Sequence, residues 1–322
     1  MLATKKHFSL TEIKVDLREN YILKIDNKLL SLLLKDRTTN KNLLWATSNY
    51  KENGKGFDIY DYITISKVTG SNGNIIKPRI EKDKDIQLFR IKKNAEVFTP
   101  AWICNRQNNL VDDAWFGSSN IFNKETSNGW VTLERPIPFG RLKTWKDYVQ
   151  LTRMEITCGE APYLVSRYDT TTGELIPITK RIGLLDRKLR VISENTRSEK
   201  DWVKWAVIAY KNIYGYDYQG DNFLLARENL LLTFADYYFD RFNVAPIPEY
   251  LLEIADILSW NIWQMDGLKF VVPNLAHKTL TQSTNKKDNI EENGLYCKIM
   301  DWEKNKPIKF ISLLSKNNGK AR

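Results

Sequence analysis

Between residues 150 and 270, short apolar runs alternate with long amphipathic ones. "RMEITC" at 153–158 has strand length and is followed by a helical pattern from about Pro162. "NIYGYD" at 212–217 is a second strand, followed by "DNFLLARENLLLTFADYYFDRF" at 221–242. "YLLEIADILSW" at 250–260 then leads into a third short run, "NIWQMD" at 261–266. Strands separated by helices of this length predict a mostly parallel sheet wrapped by helices, an α/β fold. In the 221–242 helix, Asp221 is placed as N-cap, and Leu224, Leu225, Leu231, Phe234 and Tyr238 fall on one stripe. That stripe reads as core packing and carries no chemistry.

The flanks differ. Residues 10–70 contain "YILKI", "LLSLLL", "LLWAT" and "YITISKV", punctuated by "NGKG" and "GSNGN", a pattern that predicts strands and hairpins. "KPRIEKDKDIQLFRIKKN" at 77–94 is a charged helix or linker. It marks a boundary between a small β-rich or mixed region, 1–94, and a larger unit, 95–322. That unit opens with "AEVFTPAWICNRQNN", in which Thr99 suits an N-cap and Pro100 a first helical position. Ile103, Leu110, Val111 and Ala114 then share a helix face. The polar stretch 277–294 is expected to be a surface loop.

Composition narrows the class. A chain of 322 residues with 42% hydrophobic content is able to bury a sizeable core. No apolar run reaches the roughly 18 residues that a membrane span needs, and "MLATKKHFSL" lacks a signal peptide's apolar segment, so the expected location is cytoplasmic. Three dispersed cysteines, Cys104, Cys158 and Cys297, argue against a disulfide framework. With only His7 and His277 besides, no closely spaced zinc ligands exist. The formal charge of +10 favours an anionic partner, with nucleic acid first, although the lysines are dispersed.

In open parallel sheets, ligands sit at the carboxyl ends of strands. At the first such end stands Cys158-Gly159-Glu160-Ala161-Pro162, where Gly159 permits a tight turn and close backbone approach. One glycine is weaker than the three of a dinucleotide fingerprint, and an ordinary strand-to-helix turn would look the same. At the second end, Asp217 is placed to accept hydrogen bonds from ribose hydroxyls. A helix cap or solvated charge is the plainer reading, and Asp217 lies 58 residues past Gly159, where roughly 20 is usual. At the third end, Asp266-Gly267 again pairs a carboxylate with a turn. Acids at all three ends (Glu155 or Glu160, Asp217, Asp266) suit a ligand with an adenine amine, a ribose and an amino-acid tail. The helix N-terminus at Thr99 and Pro100 would attract that tail's carboxylate. S-adenosylmethionine carries all of these groups.

"AEVFTP", "EITCGEAPYL", "IYGYDYQGDNFLLARENL" and "NIWQMDGL", in this order, resemble the cofactor half of adenine-specific DNA methyltransferases of bacterial restriction-modification systems. The nearest likeness is to the proteins called restriction endonuclease subunit M, over about residues 5–315. The resemblance implies a Rossmann-like class I methyltransferase domain that binds S-adenosylmethionine. It would place Phe98, Thr99 and Pro100 against the methionine end. Glu155, Thr157, Cys158, Gly159 and Glu160 would form the first strand and its loop. Asp217 would hold the ribose hydroxyls, Tyr218 would flank the adenine, and Asp266, with Gly267, would meet the adenine amine. Ala161 departs from the second glycine of many relatives.

The family's catalytic Asn/Asp/Ser-Pro-Pro-aromatic tetrapeptide, which would accept the target amine's hydrogen bonds and stack on the flipped base, is missing. None of the ten prolines is followed by another proline or preceded by Asn, Asp or Ser. The expectation is a split enzyme: this chain holds the cofactor, and a second polypeptide holds the tetrapeptide and the target-recognition part. The alternative is a non-catalytic remnant that binds DNA or a partner.

Two other classes compete. Asp169 with Asp186-Arg187-Lys188 loosely fits the acid…acid-x-Lys pattern of metal-dependent restriction nucleases, although a charged turn reads equally well. Trp202, Trp205, Trp260 and Trp263 fit either a core or an aromatic-rich scaffold surface.

Overall fold

The structure, a computed structural model, describes residues 19–94, 96–274 and 294–317. The polar stretch 277–294 therefore lies, apart from Gly294, outside the described residues, as do His7 and His277.

The N-terminal region is helical where strands were expected. "YILKI" lies in α1 (Glu19–Ile25) and most of "LLSLLL" in α2 (Asn27–Leu33). Leu29, Leu30, Leu33 and Leu34 are fully buried, and this one-and-four spacing is a helix face rather than strand alternation. Asp26 fixes the start of α2 by accepting the Lys28 N–H at 2.7 Å. "LLWAT" and "YITISKV" meet only through an isolated bridge, Leu44 with Tyr62, before a short α3 (Ile65–Val68). The charged stretch does form a helix, α4 (Lys84–Asn94).

The next helix, α5 (Ala101–Phe116), begins one residue later than expected and ends at Gly117, whose φ of 72° is the left-handed conformation of a helix stop. Its expected apolar face is not the buried one: Leu110 and Val111 are exposed, while Cys104, Asn105, Asn108 and Asp112 are buried. A guanidinium inserted from a later helix dictates this orientation, as described below. A hairpin, β1 (Asn123–Glu125) with β2 (Trp130–Thr132), and α6 (Trp145–Gln150) lead into β3 (Arg153–Ile156).

No helix starts at Pro162. The Glu155 carboxylate instead accepts the N–H groups of Tyr163 (3.4 Å) and Leu164 (3.2 Å), and the chain turns without winding on. The helices resume at α7 (Leu184–Asn195) and α8 (Glu199–Lys211), followed by β4 (Ile213–Asp217). Then come α9 (Gly220–Phe242), α10 (Pro248–Asn261) and β5 (Ile262–Gln264). A second hairpin, β6 (Lys298–Asp301) with β7 (Lys306–Lys309), and a helix at Ile311–Asn317 complete the described chain.

The strands β3, β4 and β5 form a parallel sheet in that order, with Ile156 opposite Tyr216 and Asp217 opposite Gln264. The α/β class is therefore as expected, with a smaller sheet and more helix. The expected stripe on α9 is buried, and so is every residue from Gly220 to Tyr238, which makes α9 the central helix of the core. One continuous apolar core runs from Ile22 to Ile262. No helix among the described residues is long and apolar enough to cross a membrane.

Candidate functional site

A cavity of about 500 Å³ opens at the carboxyl ends of β3 and β4. Its lining includes Phe98, Thr99, Glu155, Thr157, Cys158, Gly159, Asp217 and Tyr218, all singled out from the sequence. Residues from three stretches separated by more than fifty positions are thus brought into one concave site. The volume is in the range of about 300–1,000 Å³ usual for small-molecule sites.

The floor is a loop held in an unusual backbone shape. Thr157, Gly159 and Ala161 have φ of 50°, 53° and 65°, so alternate residues are left-handed. A Cβ built on Gly159 would meet only the Phe98 ring, at 3.8 Å, so the loop presents bare backbone toward Phe98. Ala161 adopts the conformation that glycine accommodates best, which accounts physically for a glycine preference at that position. The loop is fixed to the sheet by Cys158 N–H donating to Tyr216 O (2.8 Å) and by Gly159 N–H donating to Asp217 Oδ2 (2.8 Å).

Asp217 also accepts from the Tyr218 N–H (2.7 Å) and the Gln219 N–H (3.1 Å), both at Oδ1. A carboxylate has about four acceptor positions, so three are taken and one remains, on Oδ2. Burial raises its pKa from 3.8 to about 6 despite those backbone donors. Burial also pushes Glu155 well above the usual carboxylate range and Cys158 well above the usual thiol range. Tyr218 is 37% exposed at the rim, its hydroxyl 3.1 Å from Asn274 Oδ1.

Several expected residues stand elsewhere. Glu160 is buried behind the loop, accepting from Arg79 N–H (2.6 Å) and the Tyr168 hydroxyl (2.6 Å); it supports the loop and does not line the cavity. Asp266 turns Oδ1 back to the N–H groups of Leu268 and Lys269, closing its own turn. It remains close enough to Tyr218 to add to the burial that raises that phenol's pKa, so it flanks the Tyr218 end. Gly267 packs under the Tyr216 ring, where a Cβ would come within 2.9 Å. Pro100 faces a separate cavity lined by Trp102 and Trp130.

The helix cap is also different. Thr99 makes no side-chain cap; Pro100 precedes α5, and Asp169 Oδ2 accepts the Ala101 N–H at 2.7 Å. A carboxylate already occupies the first donor of that helix. The expected anchoring of a ligand carboxylate there is therefore displaced, since two like charges at one helix end repel.

The acid-x-Lys pattern has structural partners instead of a metal-like arrangement. Asp186 is fully buried, accepting from Ser166 N–H, Ser166 Oγ and Gly183 N–H. Arg187 donates to Asp112 (2.7 Å), Asn105 (2.9 Å) and Asn109 (2.7 Å), which explains the polar buried face of α5. The Lys188 ammonium donates to the Leu151 carbonyl and, at 3.5 Å, to the Asn212 carbonyl. The triplet is a buried stretch of α7, not a charged turn. No group of three or more potential metal ligands occurs among the described residues. Trp202 and Trp263 are buried, and Trp205 and Trp260 are partly buried.

Sequence reasoning missed Glu96, Asn222 and the role of Asp221. Asp221 does not cap α9, where Gln219 holds that position. It is a fully buried hub, bound by Arg90 (2.8 Å), Lys82 (3.3 Å) and the Tyr50 hydroxyl (2.7 Å). Arg90 also holds Glu96 and reaches Asn222 at 3.3 Å, and both of those line the cavity. The charges in "EKDKD" and "FRIKK" signalled an ionic partner, but not its address. Comparison of the chain with family models, with curated proteins and with solved structures finds no match.

Proposed function

We propose that this chain is the S-adenosylmethionine-binding part of a DNA adenine-N6 methyltransferase of a restriction-modification system. In this reading the catalytic tetrapeptide, absent from these residues, is supplied by a second polypeptide. One observation carries the reading: residues picked out by three of the four motifs line a single cavity at the ends of two parallel strands.

The donor set fits the cofactor. The lining contains Glu96, Glu155 and Asp217 and no lysine or arginine, which gives a dinucleotide's pyrophosphate no cationic partner. Glu96 is already paired with Arg90 and burial disfavours the charged form of Glu155, so Asp217 is the anionic group that suits a ligand bearing a sulfonium and an ammonium. S-adenosylmethionine supplies an electrophilic methyl group on that sulfonium. The chain's own residues hold and orient: Asp217 Oδ2 keeps one acceptor position for a ribose hydroxyl, Tyr218 offers a ring for the adenine at the rim, and Phe98 lies beside Gly159. The +10 charge is consistent with DNA as the polyanionic substrate.

Calorimetric titration with S-adenosylmethionine tests the proposal. Binding by the chain, alone or with the second polypeptide, is expected; no heat in either case overturns it. Methylation of DNA by the mixture and not by either component is the expected activity.

A further inference from the structure

A single buried guanidinium arranges one wall of the cavity. Arg90, on α4, is buried and lies outside the lining. Its Nε donates to Glu96 Oε2 and its Nη1 pairs with Asp221. Its Nη2 donates to Gln219 Oε1 at 3.2 Å and to Asn222 Oδ1 at 3.3 Å. Glu96, Gln219 and Asn222 all line the cavity.

An arginine has donors and no acceptor, so it fixes which end of each partner faces it. Asn222 turns Oδ1 to Arg90, and Nδ2 is the polar end it offers to the cavity. Glu96 gives Oε2 to Arg90 and keeps Oε1. Neither Asn222 Nδ2 nor Glu96 Oε1 has a hydrogen-bond partner among the described residues. Asn222 is only 2% exposed, so bulk water does not serve it. A buried amide with an unused donor in a cavity wall is explained by a ligand that accepts from it.

The same wall adjoins Asp217. Gln219 joins the two: its N–H donates to Asp217 Oδ1 at 3.1 Å, and its side chain accepts from Arg90. Asp217 has one acceptor position left, which serves one hydroxyl. A ribose cis-diol presents two. The second hydroxyl carries one proton to donate and lone pairs to offer, the complement of Glu96 Oε1 beside Asn222 Nδ2. A carboxylate would be repelled by Glu96, and an ammonium would meet the Nδ2 donor. A hydroxyl suits both.

We propose that Glu96 and Asn222 bind the second ribose hydroxyl of the cofactor, with Arg90 as the positioning residue that holds them for it. This inference rests on the S-adenosylmethionine reading. One hydroxyl goes to Asp217 and the other to the Glu96–Asn222 pair, so the site reads both halves of the diol.

The test is calorimetric titration of the full chain, alone and with the second polypeptide. The probes are S-adenosylhomocysteine and its 2′-deoxy and 3′-deoxy analogues. Each analogue is expected to bind the parent about tenfold more weakly than S-adenosylhomocysteine. Asn222→Ala and Glu96→Gln are each expected to weaken S-adenosylhomocysteine by about tenfold. Both should leave one analogue within about twofold of its parent affinity, because the contact they remove is already missing there. Arg90→Lys replaces a planar fork by a point charge and is expected to reproduce that pattern. A merely structural role would weaken all three probes by one factor.

Equal losses for all three probes in Asn222→Ala overturn the diol contact and leave the cofactor reading standing. So does a parent chain that binds both analogues as tightly as S-adenosylhomocysteine. If the parent binds neither S-adenosylmethionine nor S-adenosylhomocysteine, alone or in the mixture, both readings fail. Should Arg90→Lys lose its cooperative urea transition, Asn222→Ala and Glu96→Gln carry the test, with the parent's urea midpoint as the folding control.

Discussion

The carboxylate of Asp217, at the end of β4, accepts the backbone N–H of Gly159, in the loop after β3, at 2.8 Å. This bond couples two strand ends that the chain separates by a long insertion. It also leaves Asp217 ionisable in the physiological range, with a pKa raised by burial to about 6.

The pH dependence of ligand binding follows. An ionised Asp217 accepts a hydroxyl hydrogen bond on its remaining position, and a protonated one loses acceptor strength. Affinity for S-adenosylmethionine is expected to rise as pH increases through about 6, and Asp217→Asn should flatten that profile while weakening binding. Titration at pH values on both sides of this midpoint checks it; an unchanged profile in the variant places the titrating group elsewhere. Stability moves the opposite way. Between 3.8 and about 6 the folded chain binds the proton more tightly than the unfolded chain. Asp217's contribution to stability therefore declines as pH rises through that window.

Tyr218 stands at the rim with more than a third of its surface exposed, so its loss disturbs little packing. If its ring stacks on adenine, Tyr218→Ala should weaken S-adenosylmethionine binding by about tenfold, from a stacking contribution of about 1–3 kcal/mol. Tyr218→Phe should retain most of the affinity. Equal losses in both variants would assign the effect to the hydroxyl and its contact with Asn274.

Asp221 ties α4 and the Tyr50 segment to the start of α9. Burial opposes its ionisation, but Arg90 and Lys82 beside it hold the carboxyl well below the usual range. Its contribution to stability is fully present above the ordinary carboxylate value and is lost as pH falls through its depressed folded value. Asp221→Ala strands Lys82, leaves Arg90 with Glu96 as its one carboxylate partner, and should cost about 3–5 kcal/mol in urea denaturation at neutral pH. A cost under about 1 kcal/mol would mean that the ionic hub is replaced by solvent.

Arg187 is the corresponding fastener for α5. Arg187→Met leaves the buried Asp112 with only the longer Arg153 pair (3.5 Å) and the Tyr148 hydroxyl, and a loss of about 3 kcal/mol is expected. Lys188→Met, beside it, should alter stability and reveal no catalytic role. Magnesium-dependent DNA cleavage by the parent chain that disappears in Lys188→Met would restore the nuclease reading.

The core of the site was legible in the sequence because it rests on local rules. Strand, turn and helix patterns placed β3, β4, α9, α10 and β5, and strand ends in parallel sheets collect ligands. That reasoning found Gly159 and Asp217 without coordinates, and the family resemblance added Tyr218. It failed for "LLSLLL", where a short apolar run fits either period and burial against α10 selected the helix.

What the sequence by itself determined is the order of the parallel strands' elements, the α/β class and part of the group of residues from which the cavity is built. Tertiary structure decided which charged side chains became structural. Asp169 caps a helix 68 residues away, Asp221 gathers Arg90 and Lys82, and Arg187 turns the polar side of α5 inward. Such choices depend on which buried charge finds an opposite charge in space. Local patterning carries no record of that, since desolvation and pairing are settled only when distant segments pack together.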